Sequence, residues 1–198
     1  GRAGTPDVMK AAGRDMGFGV SVIEQVGGDG EIFSSSAIRA EIAQGDVRGA
    51  AEMLGHWWRV TGKVVGGAKR GTGLGYPTAN IVLAPGTTLA HGIYAVTVDI
   101  GGERHDGAAY LGTRPTFDDG KPVLEVFLFD FDGDLYGSDI GVTFVEHLRP
   151  DQRFDGADAL KAQMDRDCAR ARDVLAKIAA ADPMAAFRRS EPRTGREG

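Results

Sequence analysis

Between Gly66 and Asn80 the chain reads Gly-Gly-Ala-Lys-Arg-Gly-Thr-Gly-Leu-Gly-Tyr-Pro-Thr-Ala-Asn, with five glycines in the first ten positions. Glycines at that density let a backbone approach a ligand closely and turn its N–H groups inward, as an anion-cradling loop requires. Lys69 and Arg70 put positive charge in the middle of the run. Three familiar phosphate loops fail against it. A Walker loop places Lys where Thr72 stands, and a dinucleotide fingerprint needs a helix where Pro77 and the β-like Thr78–Leu83 follow. The His-Arg-Asp and Asp-Phe-Gly signatures of protein kinases are absent. A Gly-rich hairpin loop with no ligand is the competing reading.

Thr78 and Asn80 lie two apart at the start of an expected strand, so both project from one face. A hydroxyl and an amide oxygen are hard donors suited to Mg²⁺, which keeps waters and takes other ligands from substrate phosphates. A turn-capping role competes, but the position directly after a cationic glycine-rich loop points to a nucleotide–metal site. The second unusual residue is Glu125, inside the otherwise apolar Val123-Leu124-Glu125-Val126-Phe127-Leu128-Phe129. With Val123 and Phe127 on its own face, a partly buried carboxylate there could act as a general base. A Glu on the solvated side of a barrel wall is the alternative. In Asp130-Phe131-Asp132-Gly133-Asp134 the glycine spacing does not fit a calcium loop, and a hairpin turn is expected.

These residues need elements to position them. From Trp58 to His147 turn residues separate candidate strands 58–65, 78–83, 92–99, 104–111, 122–130 and 139–147. Gly101-Gly102 and Asp132-Gly133 are expected to form hairpin turns. Six antiparallel strands of this length favour a small closed barrel, which removes exposed edges. Over 156–178, Leu160, Met164, Cys168, Ala171, Leu175 and Ile178 recur at helical spacing, so a last helix capped by Asp155 should lay an apolar stripe on the barrel. Residues 5–55 read as the end of an α/β domain. Thr5 caps a helix that begins at Pro6, Phe18–Val26 forms a short strand, Ser34-Ser35-Ser36 precede a second helix, and Asp46 caps a third that ends at Gly55. After Asp182-Pro183 the tail is rich in Arg, Ser, Pro and Gly and lacks a fold of its own.

The 198 residues suffice for one domain and a smaller piece, and a net charge of -5 disfavours nucleic acid as a partner. The lone Cys168 excludes an internal disulfide and suits a cytoplasmic location. No apolar run approaches the roughly 18 residues of a membrane span. The chain opens on Gly1 and a loop-like segment, as a piece of a longer protein would.

The run from Gly67 to Asn80 resembles the glycine-rich loop and Pro-Thr-Ala-Asn motif of riboflavin kinases. Gly92-Ile93-Tyr94, Gly112-Thr113-Arg114-Pro115-Thr116, Leu124-Glu125-Val126, Asp130 through Gly137, and Leu148-Arg149-Pro150 with Phe154 follow in that family's order. The likeness covers about 120 residues, 59–178, and departs where Gly66 and Thr72 replace a frequent His and Arg. It implies a six-stranded antiparallel Greek-key barrel with a C-terminal helix that transfers the γ-phosphate of ATP to the riboflavin 5′-hydroxyl. Gly67, Lys69, Arg70, Gly71, Gly73 and Gly75 would cover the ATP phosphates, and Thr78 and Asn80 would bind the nucleotide and hold Mg²⁺. Glu125 would take the hydroxyl proton. Arg149, in a mobile loop, would close over the flavin, and Phe154 would shape its pocket. Ser34–Arg39, Gly45-Asp46 and Leu54-Gly55 resemble the end of the adenylyltransferase domain of the bifunctional bacterial enzymes. The expected division is therefore 1–55 as remnant, 56–180 as kinase barrel and helix, and 181–198 as tail, with no appreciable FAD formation. A bifunctional synthase whose other half acts in trans, and a flavin- or nucleotide-binding barrel without catalysis, are the competing readings.

Overall fold

The computed structural model describes residues 5–22, 27–28, 31–66, 75–113 and 122–184. They fall into two compact units, Gly1–Phe33 and Ser34–Gly198. In the first, α1 (Pro6–Met16) begins where expected, with Thr5 Oγ1 accepting from Val8 N at 3.3 Å and Gly17 closing it at φ 75°. The two-residue strands β1 (Gly27–Gly28) and β2 (Glu31–Ile32) pair antiparallel. Of the strand expected over Phe18–Val26, residues 18–22 are not in a strand and 23–26 lie outside the described residues.

The second unit opens with α2 (Ser35–Gln44) and α3 (Val47–Leu54). Ser34 Oγ accepts from Ala37 N at 3.1 Å and Asp46 Oδ1 from Gly49 N at 2.8 Å, so both helices start on side-chain caps. The strands are β3 (Arg59–Val65), β4 (Ala79–Val82), β5 (Gly92–Ile100), β6 (Glu103–Thr113), β7 (Pro122–Leu128) and β8 (Asp139–Arg149). They close into an antiparallel barrel in the order β3-β4-β7-β6-β5-β8. Strands β5, β6 and β7 follow one another and β8 returns beside β5, a Greek key. Gly101 and Gly102, at φ 60° and 94°, make the expected two-residue turn between β5 and β6. Asp132-Gly133 does not make a hairpin, because β7 and β8 are not neighbours. That stretch crosses from one side of the barrel to the other, with positive φ at Asp130 and Gly137 instead.

Alternation along the strands divides inside from outside. In β7, Leu124, Val126 and Leu128 fill the barrel while Val123, Glu125 and Phe127 face outward. Ile42, Val47 and Ala50 join Tyr94, Phe144 and Leu89 in the same buried cluster, so α2 and α3 extend the barrel core. The contacts thus divide the chain after Phe33, upstream of the expected boundary at residue 55. A second apolar cluster lies outside the barrel. There α4 (Ala157–Ala180) sets Ala171, Val174, Leu175 and Ile178 against Ala95, Ala108, Val145 and Leu148. Gly156 occupies the N-cap of α4 and supplies no side-chain bond, so the expected Asp155 cap does not form. No described helix is long and apolar enough to cross a membrane.

If α2 belongs to the barrel core, Ile42→Ala should destabilise the whole unit by about 2–4 kcal/mol, the range for a buried Ile truncation. Urea unfolding followed by tryptophan fluorescence reads this from Trp57 and Trp58, and a loss below about 0.5 kcal/mol would detach α2 from that core.

Candidate active site

The register of the sheet gathers the candidate residues into one row. Asn80 in β4 lies opposite Glu125 in β7, Glu125 opposite Tyr110 in β6, Tyr110 opposite Ile93 in β5, and Ile93 opposite Arg149 in β8. Directly opposed residues share a face of the sheet. This row therefore runs over five strands on the outer wall, one pleat away from the core residues Ile81 and Leu124. Thr78, just ahead of β4, donates its hydroxyl proton to Glu125 Oε2 at 3.2 Å. Asn80 is buried, and its Nδ2 donates to the Thr78 carbonyl at 3.3 Å, which turns Oδ1 away from that carbonyl.

Two cavities meet at this row, and Thr78 lines both. The first, about 340 Å³, lies between the barrel wall and α4. Its walls include Ala108, Phe127, Leu160 and Met164, with Glu125, Arg149, Asp151 and Asp167 as charged groups. The second, about 300 Å³, is bounded by Val65 and Gly66 at the start of the glycine-rich run, by Pro77 to Asn80, and by the 131–136 crossover. Gly75 closes the run at φ 86°, a conformation that favours glycine. Gly67, Lys69, Arg70, Gly71 and Gly73 lie outside the described residues. The oxygens of Thr78 and Asn80 are hard, neutral donors and fit Mg²⁺, an ion that completes its shell with water and phosphate oxygens.

Arg149 is the last residue of β8 and not part of a loop. Its guanidinium grips Asp167 on α4 through Nε at 3.0 and 3.1 Å and Nη2 at 2.7 Å, and lies 5.7 Å from the Phe154 ring centre. Asp167 is buried and also accepts from Gln163 Nε2 at 2.8 Å. Both Arg149 and Phe154 reach the first cavity. Position in a strand and a two-pronged carboxylate partner hold Arg149 where a loop residue would be free to move.

The structure adds residues that were not singled out from the sequence. Tyr76 joins the end of the glycine-rich run to α4. Its hydroxyl donates to Asp165, and its ring meets Phe127 edge-on at 5.0 Å. Burial, with that hydrogen bond second, raises the phenol well above its ordinary pKa and keeps it a donor. Tyr110 spans the first cavity's mouth to Asp151, its hydroxyl donating at 3.2 Å. Cys168, read from the sequence only as part of the helical stripe and as the lone cysteine, lines the same cavity, its thiol pushed up to about 11 chiefly by burial. A signal existed for Asp167, a carboxylate beside Met164 and Cys168 in an otherwise apolar stripe. Tyr110 had none, since only the closed register brings it beside Glu125.

Residues 54–175 match the family Flavokinase, described as riboflavin kinase. The chain belongs to the riboflavin kinase family. It is 41% identical to a bifunctional riboflavin kinase/FMN adenylyltransferase of Pseudomonas fluorescens, over 90% of this chain and 58% of that protein. Its identity to the enzyme of the same description from Escherichia coli K12 is 37%, over 87% and 56%. The chain thus spans a little over half the length of these curated relatives. A crystal structure described as a macrolide-efflux protein from Streptococcus pneumoniae has the same fold at TM-score 0.72 and 34% identity, covering 83% of this chain and 53% of that one. Within the riboflavin kinase match lie both cavities and the row from Asn80 to Arg149.

The Arg149–Asp167 pair carries a stability consequence. Asp167→Ala leaves a mostly buried guanidinium without its counter-charge and should cost about 2–4 kcal/mol, less than the loss in a fully buried pair because Arg149 keeps 16% side-chain exposure. Replacing both residues with Arg149→Met and Asp167→Leu should recover most of that loss in urea unfolding. A double variant no more stable than the single one would show that the pair is not the source.

Proposed function

We propose that this chain phosphorylates riboflavin at its 5′-hydroxyl with Mg-ATP, giving FMN and ADP. The observation that carries the reading is the junction of two cavities at Thr78, with Glu125 on one side and Asn80 on the other. The mostly apolar cavity against α4 suits a flavin ring system, whose burial between Phe127, Leu160 and Met164 provides the hydrophobic part of binding. The cavity bounded by Gly66 and Pro77 to Asn80 suits the nucleotide. Gly67, Lys69, Arg70, Gly71, Gly73 and Gly75 would then cradle its phosphates, with Lys69 and Arg70 supplying local positive charge in a chain of net charge -5.

In this reading Thr78 and Asn80 would hold the nucleotide's divalent ion, assigned as Mg²⁺, through their side-chain oxygens. When bound, the ion neutralises charge on the transferring phosphoryl group. Glu125 accepts the 5′-hydroxyl proton as that oxygen attacks the γ-phosphorus, and ADP leaves. The Thr78 hydroxyl bonded to Glu125 holds the carboxylate toward the junction. Arg149, fixed by Asp167, and Phe154 bound the flavin side. Positioning and water exclusion between barrel and helix supply most of the rate, as in-line phosphoryl transfer needs little covalent help from protein.

Glu125→Gln should retain the fold and lower FMN formation by roughly 10²–10⁴-fold, the usual worth of a positioned base. Riboflavin, ATP and Mg²⁺ are incubated with each variant and the flavins separated by chromatography. Undiminished turnover by a folded Glu125→Gln variant would remove the base assignment. Flavin binding with no FMN from the unaltered chain would favour a non-catalytic binding module.

The same assay with FMN as substrate examines the N-terminal residues. The described part of Gly1–Phe33 contains one helix and a two-stranded antiparallel pair. An open α/β nucleotide site is built at the carboxyl ends of several parallel strands. FAD should therefore form at well under a hundredth of the rate of FMN, on the order of the gap between assembled and unassembled catalytic groups. Comparable rates would mean that adenylyl transfer is complete within this chain.

A further inference from the structure

We propose that Glu146 is a positioning residue through which α3 sets the seat of α4, and so the affinity of the cavity assigned to the flavin. The inference rests on the riboflavin kinase reading of that cavity. It concerns residues that line neither cavity.

Helix α4 supplies Leu160, Met164, Asp167 and Cys168 to the flavin-side cavity, so its placement on the barrel fixes that cavity's width. Two charge contacts hold it to β8, and they run in opposite senses. Arg149 of β8 grips Asp167 of α4 at 2.7 Å, and Arg170 of α4 reaches Glu146 of β8 at 3.3 Å. Asp167 and Arg170 are three apart, neighbours on one helix face. Arg170 also donates to the Leu148 carbonyl at 2.6 Å, immediately before Arg149. A shift of Arg170 therefore bears on the backbone that presents Arg149 and on the helical turn that carries Asp167 and Cys168.

Glu146 has a second cation. Its other oxygen lies 3.2 Å from Arg48 Nη2 on α3, and among the described residues Arg48 makes no other ion pair. One carboxylate of 26% exposure thus joins a helix from the barrel's sequence-preceding side to the wall of the flavin-side cavity. Its removal would do more than delete two contacts. Arg48 and Arg170 would be left converging on the same place, and like charges that close repel. Both guanidinium groups are about half exposed, so the contacts are individually weak and a graded change in affinity is expected, with no collapse of the fold.

The test uses the full chain with Glu146→Gln, Arg48→Gln and the two combined. KM and kcat are measured for riboflavin at saturating ATP and for ATP at saturating riboflavin. Glu146→Gln should raise KM for riboflavin about three- to tenfold and leave kcat and KM for ATP within about twofold, as a few weak contacts and a new repulsion allow. Adding Arg48→Gln to Glu146→Gln should recover part of that rise, because it removes one of the two facing cations. Arg48→Gln alone should raise KM for riboflavin about twofold, less than Glu146→Gln, because no repulsion is created. The proposal is overturned if KM for riboflavin is unchanged in Glu146→Gln. It is equally overturned if both KM values and kcat worsen together, the mark of general damage. Should Glu146→Gln fail to fold, Glu146→Asp and Arg48→Gln carry the same comparison. No FMN from the unaltered chain would instead overturn the kinase reading beneath it.

Discussion

Closing six short strands into a barrel leaves no room inside for a ligand. Side chains from alternate positions, Ile81, Leu111, Leu124, Val126 and Phe144 among them, fill that space. Whatever chemistry the barrel performs must therefore occur on its outer wall, where residues are one pleat away from the core and in register with one another. The row Asn80, Glu125, Tyr110, Ile93 and Arg149 follows from that constraint. A one-residue slip of β7 would move Glu125 into the barrel and Leu124 or Val126 out of it. The cost of burying a carboxylate among aliphatic side chains makes such a slip strongly unfavourable, so the same alternation that folds the barrel aims its acid.

An outer wall is normally wet, and the phosphoryl transfer proposed for this chain would compete there with water. The second apolar cluster answers that problem. By laying Ala171, Val174, Leu175 and Ile178 on β5, β6 and β8, α4 roofs part of the wall and leaves a cavity further along. Apolar burial supplies the attraction but little orientation, since ridges of similar side chains can slide over one another. The Arg149–Asp167 pair fixes the remaining freedom. A misplacement of α4 would leave the Arg149 charge and the buried Asp167 carboxylate unmatched, which costs more than the pair contributes when formed.

Much of this was legible in the chain because local chemistry and tertiary structure agree. Asp46 before Val47 and Gly101-Gly102 between two alternating runs each have one economical placement, and the structure adopts it. The six strands lie within a few residues of their expected limits for the same reason. The misreadings have a common cause. Asp132-Gly133 has hairpin chemistry, but whether a turn joins neighbouring strands depends on strand order, which no local signal contains. The resemblance places Arg149 in a mobile loop, yet pairing with Ile93 keeps it in β8. Asp155 could cap α4, but the chain enters that helix one residue later, at Gly156. Packing of Ile42, Val47 and Ala50 drew two N-terminal helices into the barrel core, because an amphipathic helix goes where apolar surface is open, regardless of which segment it descends from.

Thr78 stands where these levels meet. It follows a proline that fixes the exit from the glycine-rich run, so its backbone is committed before β4 begins. Its hydroxyl is bonded to the outward-facing Glu125, and its carbonyl accepts from the buried Asn80. A larger residue would crowd the edge that the two cavities share, and an apolar one would remove the hydroxyl that donates to Glu125 Oε2. A hydroxyl can give one proton to the carboxylate and still offer lone pairs to a cation on its other side. Under the proposed function, one small polar side chain would thus hold Glu125 and face the nucleotide's phosphates at once. That dual capacity is the physical reason for expecting phosphoryl donor and acceptor to meet at this point of the barrel wall.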